Sequence, residues 1–258
     1  RYTFNPLTRD RLQLEWIHRG SWLGGMAVDI PADDMTRKGI EYKTELDPSD
    51  QEQMDQLAQA LNVWGQIADT IRWARLYGGA IAVHMIDGQD PREPLRVNTV
   101  GPKQYKGLLV LDRWMLDPTL DDLVREPGPH LGLPRYYRVQ PNAPALRGLA
   151  IHYTRVAFRL VGVKLPYQQA LTENLWGISV IERLHDRMIG FDQATAGTTQ
   201  LVSKAFLRML KIKGLREVAA TGGDALAALQ GQMEVMRRYQ GIEGISLIDS
   251  EDEFQTHQ

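Results

Sequence analysis

Apolar and polar positions divide this chain into three regimes. In the first, Met54, Leu57, Ala58, Leu61, Trp64, Ile67, Ala68, Ile71 and Ala74 recur at helical spacing, which predicts one amphipathic helix. Ser49 and Glu52, just after Pro48, form a capping box at its start. Gly78 and Gly79 predict its stop, because glycine tolerates the left-handed conformation that ends helices. The continuous apolar run "AIAVHMID" then reads as a buried strand. Upstream, Thr8 can cap a helix carrying Leu12, Leu14, Trp16 and Ile17, and Gly20, Gly24 and Gly25 predict a break. "MAVDIPADDMTRKG" reads as a short extended stretch with a turn at Ile30–Pro31.

The second regime runs from Pro91 to Pro166. Ten of the chain's 13 prolines crowd here, so long helices are excluded and short β-runs such as "GLLVLD", "RYYRV" and "AIHYTRVAFRLVG" are expected between irregular loops. In the third regime helical spacing returns. Ser179 and Glu182 form a second capping box, and the pattern predicts a helix to Lys213, about 50 Å long at 1.5 Å per residue. Gly190 and Gly197 lie within it. A further helix over Asp224–Tyr239 and a strand in "GISLIDSEDEFQ" follow.

The middle of the long helix, "DQATAGTTQ", is small and polar where a helix buried in its own domain would carry an apolar stripe. Thr195, Thr198, Thr199 and Gln200 suit close packing beside identical helices, with one face wet; a kinked helix on the surface of a single domain is the competing account.

Composition narrows the function. The 258 residues, 43% hydrophobic and 24% charged, can bury a core. A net charge of −2 argues against tight gripping of nucleic acid but allows sliding contact. With no cysteine, disulfides, thiolate metal sites and cysteine nucleophiles are excluded. No stretch approaches the roughly 18 apolar residues of a membrane span, and no signal peptide is visible. A start at Arg1 and a stop at "EFQTHQ" suggest that both ends of the natural protein lie beyond this sequence.

Candidate chemistry is sparse. The six histidines include no pair at metal-ligand spacing. "HYT" at His152 has the His-x-Thr form of two-histidine phosphoesterases, whose mechanism needs a second such tripeptide as acid to the first one's base. The sequence has no second, so a structural histidine is the plainer account. The glycine pairs fit neither phosphate-cradle motif. Carboxylates at Asp29, Asp33 and Asp34, at Asp117, Asp121 and Asp122, and near Asp249 match no nuclease spacing, so neither metal nor other cofactor is expected. Lys204, Arg208 and Lys211 either complement the helix C-terminus or form positive charge facing DNA.

Four blocks in order carry a family resemblance: "RGSWLGGMAVDIPADDMTRKG", "IRWARLYGGAIAVHMID", "IHYTRVAFRLVGVKLP" and "WGISVIERLHDRMIGFDQATAGTTQLV". The chain resembles the portal, or head-to-tail connector, proteins of tailed bacteriophages, in a subgroup sharing its domain with anti-defence (anti-CBASS-type) phage phosphodiesterases. The resemblance implies an α+β, portal-like fold: a mixed wing domain, a long stem helix and a small β-rich clip-like module. It implies wing segments at 1–106 and 214–258, a β-rich segment with the clip at 107–175 and a stem helix at 176–213. It also implies a non-enzymatic ring, commonly a dodecamer, at one capsid vertex, assembled in the host bacterial cytoplasm and carried in the virion. Double-stranded DNA would pass through it, and its partners would be the terminase large subunit, the major capsid protein and head-completion or tail adaptor proteins, with no membrane. Lys204, Arg208 and Lys211 would then be channel candidates, and Thr195, Thr198, Thr199 and Gln200 inter-subunit contacts. A domain associated with cyclic-nucleotide phosphodiesterases and a monomeric adaptor are the alternatives.

Overall fold

The computed structural model describes residues 6–40, 47–205, 208–211, 223, 224, 227, 228, 230, 231, 234 and 253–256. The chain is a mixed α+β protein dividing into two compact units, Arg1–Ile189 and Gly190–Gln258.

The first unit is built on strand β1 (Gly79–Ile86), flanked by β2 (Tyr105–Asp112) and β6 (Val156–Val161) in an antiparallel sheet of order β2-β1-β6. The predicted boundary at 106/107 therefore falls inside β2, whose partner β1 precedes it. The unbroken apolar character of β1 has a direct cause, since both its faces are covered. Ile81 and Val83 enter a core with Leu111, Tyr137, Val139, Ile151 and Trp176. The alternate residues Ala80 and Ala82 are fully buried and small, which lets helix α4 (Val63–Tyr77) lie close across β1, β2 and β6. Helices α1 (Arg11–Gly20) and α2 (Trp22–Thr36) pack outside α4, closing a second core of Leu7, Leu14, Val28, Leu76, Tyr77 and Ile181.

A second antiparallel sheet takes β3 (Leu116–Pro118), β4 (Tyr136–Val139) and β5 (Ala150–His152) in that order. The chain crosses between the sheets twice, each time through a 3-10 turn capped by the last residue of the strand just left. Asp112 Oδ1 accepts from the Trp114 and Met115 amides at 2.7 and 3.1 Å, and His152 Nδ1 accepts from the Thr154 amide at 3.4 Å. The predicted run "AIHYTRVAFRLVG" is thus two strands in two different sheets.

The helices depart from the sequence pattern in several places. The stretch read as extended around Pro31 is the interior of α2. Proline offers no amide to the carbonyl four residues back, that of Ala27. Arg75 of α4 supplies the missing donors, Nε at 3.2 Å and Nη2 at 2.7 Å to Ala27 O. Arg75→Leu is expected to cost about 1–3 kcal/mol by leaving that carbonyl unpaired. Pro31→Ala in the same chain restores an i→i−4 amide and recovers part of the loss. A double variant no more stable in urea than Arg75→Leu alone would sink this account.

The predicted helix from Ser49 to Ala74 is two, α3 (Pro48–Ala60) and α4, broken where Asn62 takes φ 49°. Asparagine tolerates that left-handed conformation. Pro48 at the first position, after Asp47, starts α3, and no side chain of a capping box closes it. Likewise Asp10, not Thr8, caps α1, accepting from the Gln13 amide at 3.0 Å.

After the short helix α5 (Tyr167–Thr172), the long helix α6 spans Val180–Ala205, 26 residues or about 39 Å at 1.5 Å per residue, and does not reach Lys213. Arg208–Lys211 instead forms β7, paired antiparallel with β8 (Glu253–Thr256). From Leu210 to Lys213 the sequence alternates apolar and basic residues, the two-residue period that a ladder uses. Of the predicted 224–239 helix, Asp224, Ala227, Ala228, Gln230, Gly231 and Glu234 are helical; its remaining residues lie outside the described set.

Candidate functional site

The long helix and its root are the site that the sequence points to. The root is "WGIS", Trp176–Ser179. Ser179 is fully buried. Its Oγ accepts from the Ile181 amide at 3.1 Å, so it caps α6 as its position predicts, and it donates to Arg75 O at 3.3 Å. The capping box, however, is open. Glu182 does not reach back to the Ser179 amide; Thr8 stands between them. The Ser179 amide donates to Thr8 Oγ1 at 2.9 Å, and Thr8 donates to Glu182 Oε2 through its hydroxyl and, at 2.8 Å, its amide.

A buried ion pair braces the same root. Glu173 accepts from Arg113 at 2.9 Å and from Arg9 at 2.8 Å, and Arg113 donates a further hydrogen bond to Gly177 O at 3.1 Å. Backbone packing completes it. The Gly177 amide donates to Gly78 O at 3.1 Å, and Val163 and Ile178 exchange hydrogen bonds at 2.8 and 3.1 Å. Trp176 is buried, with the Arg159 guanidinium 4.5 Å from its ring centroid. Nothing in the sequence pattern marks Thr8, Arg75, Arg113 or Glu173 as partners of this turn; only the Ser179 cap was legible.

Beyond the root the helix changes character. Every residue from 189 to 202 is exposed, including Ile189, Phe191, Leu201 and Val202. Thr195, Thr198 and Thr199 donate their hydroxyls back to the carbonyls of Phe191, Ala194 and Thr195 at 2.8–2.9 Å. A neighbouring helix would therefore meet their methyl groups and hydroxyl lone pairs. Gln200 lies on the same exposed stretch. Lys204 is in α6 and Arg208 and Lys211 are in β7, but their side chains lie outside the described residues.

The histidine and carboxylates weighed for other chemistries are engaged in the fold. His152 is 5% exposed, and its Nδ1 accepts from Thr154 Oγ1 at 2.8 Å. That hydroxyl in turn accepts from the Leu95 amide at 2.8 Å. His152 serves a turn, as the structural reading expects. Asp29 and Asp33 are ion-paired to Arg72 at 3.0 and 2.7 Å, with Asp69 on its third side, and Asp122 pairs with Arg135 at 3.2 Å. Among the described residues no group of three or more His, Asp or Glu side chains could hold a metal ion.

Burial lowers the pKa of both His84 and His152 below the usual 6.5. The folded state then favours the neutral rings. Their contribution is fully present above about pH 6.5, the unfolded value, and is lost as pH falls below it toward the folded values. The urea midpoint is expected to drop between pH 7 and pH 5, and to drop less in His152→Gln. An unchanged pH slope in that variant would remove His152 from the account.

Two small antiparallel sheets, helices stacked on one of them and a long helix rooted in buried hydrogen bonds define a mixed α+β scaffold. No described helix is long and apolar enough to cross a membrane. Residues 12–258 match the family described as phage portal protein, and the chain belongs to that family. It is 29% identical over 253 residues to an anti-CBASS protein Acb1 of Sphingomonas paeninsulae, covering 97% of this chain and 39% of that protein. It is 28% identical over 225 residues to an anti-CBASS protein Acb1 of a Caulobacter species, covering 85% and 34%. An uncharacterized protein of Haemophilus influenzae is 23% identical over 254 residues, covering 96% and 54%. The chain thus spans between about a third and about half the length of these relatives.

Proposed function

We propose that this chain is a structural portal subunit, forming a dodecameric ring at one capsid vertex through which double-stranded DNA is packaged and ejected. In this reading α6 is the stem helix, lying between the same helix of two neighbouring copies. Lys204, Arg208 and Lys211 are the DNA-facing candidates, and Thr195, Thr198, Thr199 and Gln200 the packing ones. The ring docks the terminase large subunit and head-completion or tail adaptor proteins, and sits in the major capsid protein lattice. It catalyses nothing, needs no cofactor, assembles in the host cytoplasm and resides in the virion.

The observation that carries this reading is the fully exposed stretch 189–202 of α6 in a member of the portal family. Helices of this kind draw most of their stability from tertiary packing. This one has small and polar residues at its middle and large apolar ones at Ile189, Leu201 and Val202, all exposed. Copies of the same helix arranged around an axis would cover them, and a heterologous contact of this kind closes into a ring by rotation.

Electron microscopy of the purified full-length protein tests it. Top views with rotational symmetry and a hole wide enough for duplex DNA are expected, and replacing Thr198 and Gln200 by bulky residues is expected to reduce ring formation. Compact particles without rings would overturn the reading. The names of two relatives favour a second reading, a part in countering a host defence. Hydrolysis of a cyclic dinucleotide by the purified protein, lost in His152→Ala, would support it; the buried position and turn-capping role of His152 argue against it.

A further inference from the structure

Two helix faces of the first unit carry exposed apolar side chains, and their charges are opposite. On α1, Leu12, Trp16 and Arg19 recur at i, i+4 and i+7, pointing away from buried Leu14; Leu12 is 61% and Trp16 69% exposed. Glu15, at i+3, borders that row but is held to Arg11 at 2.7 Å and to Tyr77 at 3.1 Å, so between Arg11 and Arg19 the face is net basic. Alongside, α2 exposes Met26 and Ile30, opposite the buried Gly24 and Val28.

The other face belongs to α3, which has no buried residue at all. Asp50, Gln53, Met54, Leu57 and Ala60, at i, i+3, i+4, i+7 and i+10, line a shallow groove along it. Met54 and Leu57 are 43% and 50% exposed. From residue 44 to residue 71 the chain carries six Asp or Glu and no Lys or Arg. Two α3 helices would repel each other, so the surface suited to cover α3 is apolar and net basic, as the α1 face is. The two faces sit on different elements, and because both are exposed they do not cover each other within one chain. Such a pair makes a head-to-tail contact between copies, not an isologous one.

We infer that the groove of α3 receives the Leu12–Trp16–Arg19 row of α1 from a second copy of this chain, with Asp50 near Arg19 and Trp16 against Met54 and Leu57. This rests on the ring reading above and names one of its lateral contacts.

Because the sequence has no cysteine, single-cysteine variants of the full-length protein carry no background thiol. Trp16→Cys and Leu57→Cys change exposed positions, so both variants are expected to fold. Treated with a short bismaleimide, each alone is expected to stay uncrosslinked, while their mixture gives a covalent dimer. Arg19→Glu and Asp50→Lys are each expected to reduce assembly, and their combination to restore it. Rings by electron microscopy without the mixed dimer would overturn this contact and leave the ring reading standing. Dimers from Trp16→Cys alone would replace it with an isologous contact. A Trp16→Cys variant whose thiol does not react with maleimide in the unassembled protein would show the face covered by the chain itself. A wild-type protein that never assembles would remove both readings.

Discussion

Gly177→Ala is expected to destabilise the first unit by about 3 kcal/mol or more, among the larger effects a single added methyl produces. A Cβ at this position would lie 2.3 Å from Val163 O and 3.1 Å from Val161 Cβ. The first of these is a backbone carbonyl already accepting from the Ile178 amide at 3.1 Å, so it cannot withdraw without breaking the bridge that holds the turn. The Gly177 amide is itself bound to Gly78 O at 3.1 Å, which prevents the new methyl from swinging outward. Gly78, at φ 87°, ends α4, so strain at Gly177 would pass directly to that helix stop. Urea denaturation followed by circular dichroism measures the loss. Gly190→Ala and Gly197→Ala are internal controls, since nothing lies within 4 Å of a Cβ at either. Each is expected to be neutral or stabilising by up to about 1 kcal/mol, the helical advantage of alanine. A Gly177→Ala chain as stable as these controls would refute the packing described for the root.

Glu173→Ala is expected to cost about 3–5 kcal/mol, because it leaves the Arg113 guanidinium buried without its counter-charge. Both side chains of that pair are 9% exposed, and what Arg113 keeps is Gly177 O at 3.1 Å and the Trp114 ring at 5.4 Å, neither of them a counter-charge. Arg9, on the other carboxylate oxygen, is 57% exposed and solvated. Arg9→Ala is therefore expected to cost no more than about 1 kcal/mol. Replacing Arg113 and Glu173 together by Met and Leu removes both charges and should recover much of the loss. Thermal unfolding of these variants checks the ordering. Equal effects from Arg9→Ala and Glu173→Ala would mean that the buried partner is not the one that matters.

The features legible in the sequence were those set by neighbours a few residues apart. The helix preceding Gly78–Gly79, the strand after it, the short strands among the prolines and the Ser179 cap all follow from local periodicity and turn chemistry. What escaped were features completed from a distance. Pro31 does not end α2 because the Ala27 carbonyl it leaves orphaned is satisfied by Arg75, 48 residues beyond Ala27. Glu182 leaves its capping box because Thr8 takes it. The break at Asn62 rests on a single left-handed residue that the apolar pattern runs straight through. The candidate surface on the long helix was legible only as an anomaly. A small polar stretch in a long helix says that the usual stripe is missing, and no pattern within one chain can say which surface replaces it. For Lys204, Arg208 and Lys211 the backbone places one in a helix and two in a strand, against a single helical row in the sequence reading.

The relay through Thr8 also governs how this molecule is made. Its hydrogen bonds span 171 and 174 positions, and the one from Ser179 to Arg75 spans 104. Contacts of such sequence separation carry the loop-closure entropy that slows folding. During synthesis, α1 and α2 can pair while the chain is short, but the first turn of α6 stays without its full set of partners until Ser179 has emerged and met residues made long before it. The cap of the long helix is thus set late, by the very beginning of the fold, and a ribosome-bound chain would leave its first turn unsecured until most of the first unit had closed around the root.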